Sequence, residues 1–109
     1  MTTADTATLR ATVTPELATT HLPAERAVLM TPSIIGLAEL CVAQAEGDGR
    51  WESVATSLRH RAGLRTGEQV TLTAVRHEAS GDTVRWQIEA RGADGTLIGD
   101  GALERRRLA

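Results

Sequence analysis

The stretch TPSIIGLAELCVAQA, residues 31–45, decides the fold. It opens with a threonine able to cap a helix and a proline at the first helical position, where a missing N–H costs nothing. Apolar residues run from there to Ala45, and Gly47 and Gly49 stand where a helix would stop. The spacing predicts one helix that is apolar around most of its circumference, and such a helix must be wrapped by other structure. A single acid, Glu39, sits at its middle.

The flanking sequence supplies the wrapping. Residues 8–14 alternate Leu9, Ala11 and Val13 against Arg10 and Thr12, the period of a half-buried strand, and Pro15 stops it. Residues 16–30 are irregular, broken by Pro23, and read as a loop or partly helical cover. After the helix, residues 51–61 put Val54, Thr56, Leu58 and His60 on one face. The turn AGLRTGE leads into residues 69–77, with Val70, Leu72 and Ala74 aligned. ASGD precedes Val84, Trp86, Ile88 and Ala90, and ADG leads into residues 96–105. Joined by hairpin-sized turns, these four strands read as an antiparallel meander. The order of strand, helix and four strands is an α+β layout, a curved antiparallel five-stranded sheet around one central helix. That is the outline of a hotdog fold, in a single domain over residues 1–109. A sheet this small has exposed edges, and pairing with a second copy into a homodimer would cover one.

Composition narrows the function classes. At 109 residues the chain builds one core. A net charge of -2 lacks the concentrated basic face of a nucleic-acid binder. Cys41 is the sole cysteine, so it has no disulfide partner and no companion for a metal-ligand pair. The amino-terminal MTTADTATLRATV has neither a charged leader nor an apolar core, and no run reaches the length of a membrane span. A cytoplasmic protein without metal or membrane contact is the expectation.

On a helical wheel Glu39 shares its side with Ile35, Gly36 and Ala43, neighbours that leave room for a ligand or another chain. An ionised carboxylate there must be paired, hydrogen-bonded or open to a cleft. The plainer alternative is a solvent stripe shared with Glu46. Thr31 reads equally as a helix cap worth about 1 kcal/mol, or as a hydroxyl that, with Ser33 in the same turn, holds a carbonyl or anion at a helix N-terminus. His60 ends a strand whose apolar residues point at the core, so its imidazole points the same way, although an ordinary solvated histidine would fit there too. His21 and His77 receive no role. Cys41 lies opposite Glu39 and belongs to the core; Trp51 and Trp86, without any Phe or Tyr, are packing anchors.

Taken together, TPSIIGLAEL, SVATSLRHRAGLRTGEQVTLTAV and GDTVRWQIEARGADGTLIGDGALER resemble the fluoroacetyl-CoA thioesterase family of hotdog proteins. In that family a threonine begins the central helix, a glutamate follows eight positions later, and a histidine ends the next strand. Thr31, Glu39 and His60 match in type and order, with Gly36, Gly67, Gly99, Gly101 and Glu104-Arg105 in support. The resemblance implies a homodimer that hydrolyses an acyl thioester of CoA or of an acyl carrier protein near the subunit interface, without cofactor. Glu39 is then the general base or the direct nucleophile; Thr31 holds Glu39 or the substrate carbonyl; His60 orients water or protonates the leaving thiolate. Ser33 and Ser53 lie where amides would meet an oxyanion, and Met30, Ile35 and Gly36 line the acyl site. Ser53 stands where the family has a glycine. The phenylalanines that cover the acyl group in the fluoroacetyl-specific member have no counterpart in THLPAERAVLM, so Leu22, Leu29 and Met30 are expected to line a wider entrance. A non-catalytic module for an acyl chain or hydrophobic natural product, and a dehydratase or cyclase acting on a carrier-bound chain, are the alternatives on the same groove.

Overall fold

A computed structural model describes residues 5–19, 21 and 26–108. Strand β1 (Thr6–Thr12) leads through a short 3-10 turn (Pro15–Leu17) and an irregular cover to helix α1 (Thr31–Ala43). Strands β2 (Arg50–His60), β3 (Gln69–Ser80), β4 (Thr83–Gly92) and β5 (Leu97–Leu108) follow. All pairs are antiparallel, in the order β1-β3-β4-β5-β2, and the sheet is open. This is the hotdog arrangement.

The core lies where α1 meets the concave face of the sheet. Ile34, Leu37, Ala38, Cys41 and Val42 are buried on the helix. They pack against inward residues of the sheet, including Leu72, Trp86, Ile88 and Leu103. Strand β4 is central because Val84, Trp86, Ile88 and Ala90 are all buried, whereas β2 has no fully buried residue and takes an edge.

Two expectations are corrected. The meander holds only for β3, β4 and β5; β2 does not pair with β3 but crosses to the far side of β5. Residues 61–68 therefore form a crossover, spanning three strand spacings of about 4.8 Å each, rather than a hairpin turn. Its backbone is tied down by Arg61 and Ala62 N–H donating to the Ile98 carbonyl and by Leu29 N–H donating to the Leu64 carbonyl. The second concerns the helix start. Met30, in extended conformation, occupies the N-cap without a side-chain bond, and Thr31 is already the first helical residue. The Thr31 hydroxyl is thus free for another partner.

Helix α1 is wrapped on one side only. Leu40 is 61% exposed, and a methyl group placed on Gly36 would find nothing within 4 Å. On the neighbouring edge strand Val54 is 43% exposed. It does not face the core because the β2–β5 register slips between Ser53 and Ala55, which makes Val54 the extra residue of a bulge.

Candidate active site

The bulge at Val54 organises the site. Ser53 and His60 are an odd number of residues apart, so in a regular strand their side chains would point to opposite faces. One extra residue restores the phase. Ser53 then pairs with Arg105 and His60 with Gly99, both on the concave face, and both residues reach toward α1. Strand β5 comes close enough to hold this edge because Gly101 lacks a side chain: a Cβ there would lie 1.8 Å from the Ser57 carbonyl oxygen.

Two polar pairs join α1 to β2. At the helix start the Thr31 Oγ1 and His60 Nδ1 are 2.9 Å apart. If the hydroxyl donates, the ring proton resides on Nε2, which then offers a donor outward. About two turns further along, roughly 12 Å on the helix axis, the Ser53 hydroxyl donates to Glu39 Oε2 at 2.6 Å. Thr31 therefore meets His60 rather than Glu39, and the carboxylate is held by Ser53.

A cation completes the second pair. Arg105 Nη1 donates to Ser53 Oγ at 2.9 Å and lies 3.6 Å from Glu39 Oε2. Its other nitrogens make a bidentate contact with Glu46 at 2.8 and 2.9 Å. The Arg105 and Glu46 side chains are only 10% and 5% exposed, whereas Glu39 is 40% exposed. Glu46 holds the Arg105 guanidinium above its ordinary proton affinity by hydrogen bonding, while burial works against it. Glu39 and Glu46 thus do not share a solvent stripe: one is a buried anchor and the other an open carboxylate. Among the described residues nothing hydrogen-bonds Glu39 Oε1, which leaves that oxygen to a ligand or water.

The remaining expected positions have separate places. Ser33, Ile35 and Gly36 are half-buried on α1, and Met30 is half-buried at its N-cap. Leu29 is fully buried and cannot line an entrance; Leu22 lies outside the described residues. Surface clefts of 320 and 350 Å³ open beside Leu64 and beside Trp51, and neither is lined by Thr31, Glu39 or His60. Among the described residues no cluster of His, Cys, Asp and Glu is placed to hold a metal, and no helix is long and apolar enough to cross a membrane. Arg105 and Glu46 join the site although the motif spacing singles out neither as a site residue. The available signal was phase: Arg105 falls two positions after inward Leu103, a cation on a buried face that must find an anion.

No family model matches the chain, and no curated protein matches it in sequence. Solved structures do. A thioesterase superfamily member from Thermus thermophilus is 24% identical over 99% of this chain and 83% of its own, with a TM-score of 0.84. A point mutant of the fluoroacetyl-CoA-specific thioesterase FlK, in complex with fluoroacetate and CoA, is 25% identical over 99% of this chain and 95% of its own, also at 0.84. The E. coli PaaI protein from the phenylacetic acid degradation operon is 16% identical over 96% of this chain and 74% of its own, at 0.79. The chain has the hotdog fold of these proteins and resembles the fluoroacetyl-CoA thioesterases within it.

Proposed function

We propose that this chain is a small homodimeric hotdog thioesterase that hydrolyses an acyl thioester carried by CoA or by the phosphopantetheine arm of a carrier protein. The observation that carries the reading is the state of Glu39: a carboxylate clamped on one oxygen by Ser53 and Arg105, unpartnered on the other, and open on the uncovered side of the central helix. Such a group has a fixed direction and a free lone pair, the requirements of a general base. Hotdog relatives that act on acyl-CoA make a thioester the natural substrate.

In this mechanism Glu39 takes the proton of the attacking oxygen. His60, oriented by Thr31, protonates the departing sulfur or steadies the carbonyl oxygen, and main-chain amides near Ser33 and Ser53 meet the oxyanion. A second copy closes the site. The open face of α1 carries Ile35, Gly36 and Leu40, and the adjacent free edge of β2 offers unpaired backbone groups for a continued sheet.

Thiol release from acetyl-, hexanoyl- and benzoyl-CoA tests the reading. The expected result is turnover that Glu39→Gln abolishes while circular dichroism stays unchanged, because the amide keeps the shape but accepts no proton. Tight binding without any thiol release would instead favour an acyl-binding module. Turnover retained in Glu39→Gln would remove Glu39 from the chemistry.

A further inference from the structure

The clamp on Glu39 has the composition of an activated nucleophile. Ser53 Oγ is 2.6 Å from Glu39 Oε2, and since an ionised carboxylate only accepts, the hydroxyl proton points along that line. Arg105 Nη1 donates to the same Oγ at 2.9 Å, placing positive charge where an alkoxide would develop. The guanidinium is itself fixed by the bidentate contact to buried Glu46. A nucleophile, a base within hydrogen-bond reach and a third group that orients both form the arrangement that activates a serine. One Oγ lone pair is left for attack.

We propose that Ser53 is a catalytic residue, the nucleophile through which Glu39 acts, so that hydrolysis proceeds by an acyl-serine intermediate. The inference rests on the thioesterase reading and deepens it. Oγ forms a bond to the thioester carbonyl carbon while its proton passes to Glu39 Oε2. The tetrahedral intermediate collapses, the C–S bond breaks, and Glu39 passes its proton to the departing sulfur, so that a thiol leaves and the carboxylate is ionised again. Water then attacks the Ser53 ester, giving one proton back to Glu39. As the acid departs, that proton returns to Oγ. The free Oε1 provides the position for this hydrolytic water.

The test uses the full-length wild type, Ser53→Ala, Ser53→Gly and Glu39→Gln, each checked for fold by circular dichroism. Two readouts run in parallel: thiol release from acetyl-, hexanoyl- and benzoyl-CoA, and labelling by a serine-directed fluorophosphonate located by peptide mass spectrometry. The expected outcome is a phosphonyl group on the Ser53 peptide of the wild type, and a benzoyl group on that peptide after acid quench during benzoyl-CoA turnover. Both Ser53 variants lose labelling and at least about 100-fold of thiol release, within the range a positioned proton transfer supplies, and Glu39→Gln loses labelling. Thiol release without a Ser53 adduct, or Ser53→Ala within a few-fold of wild type, overturns the serine nucleophile and leaves the thioesterase standing. Labelled Ser53 without thiol release from any thioester keeps the activated serine and overturns the thioesterase. Absence of both overturns both.

Discussion

Arg105 and Glu46 differ from the other ion pairs of this chain in what surrounds them. Breaking a buried pair by removing one partner costs about 3–5 kcal/mol, because the survivor is left charged without water. Exposed pairs contribute about 0–1 kcal/mol. Glu46→Ala should therefore cost about 3–5 kcal/mol of stability and lower the urea midpoint clearly, while Glu52→Ala, which removes the exposed partner of Arg106, should scarcely move it. Equal shifts would show that Glu46 is not an anchor. Cys41 offers a second check at this scale. It is fully buried, and burial pushes its thiol above the ordinary range, so the nucleophilic thiolate is scarce at pH 8. A thiol reagent should leave native protein unmodified and titrate one group per chain after denaturation. The types of Thr31, Glu39 and His60 were legible in the sequence, but their partners were not. Which residue a side chain meets depends on register, and the register turns on a bulge that strand periodicity does not announce.

The helix and the centre of the sheet were legible because their patterns are dense. Four consecutive inward positions of β4 are apolar, and α1 is bracketed by Pro32 and by Gly47 and Gly49, although its cap is Met30 rather than Thr31. Hairpin-length spacing points β2 to the wrong neighbour, although its polar composition, RWESVATSLRH, suits an edge better than an interior. Two changes probe this strand. Deleting Val54 should turn Ser53 and Trp51 to the convex face, abolishing activity while β3, β4 and β5 remain paired; amide exchange would locate the loosened segment on β2. Replacing Gly101 with Ala drives a methyl into the Ser57 carbonyl, an overpacking penalty of about 1–3 kcal/mol. Gly36→Ala, by contrast, meets nothing and removes a helix-interior glycine, which should stabilise the protomer by about 0.5–1 kcal/mol. Thermal melts of the two variants should move in opposite directions.

For the whole molecule, the sequence contains no phenylalanine, which bears on the substrate of the proposed thioesterase. In the proposed thioesterase, with no phenylalanine in residues 20–30 to close over a two-carbon acyl group, a longer chain gains about 0.8 kcal/mol for each methylene it buries. That gain raises kcat/KM where it persists in the transition state. Hexanoyl- and benzoyl-CoA should therefore be cleaved more efficiently than acetyl-CoA, and fluoroacetyl-CoA should show no large advantage over acetyl-CoA. A strong fluoroacetyl preference would mean that residues other than phenylalanine supply the cover. The strand whose concave face holds Ser53 and His60 is also a strand at the edge of the sheet. If that edge is filled by self-association, subunit encounter and catalytic competence obey one mass-action law. Specific activity should then fall on dilution, in step with the loss of dimer seen by light scattering, and recover on concentration. Enzyme output would rise faster than in proportion to the amount of protein, giving the cell a threshold without any effector.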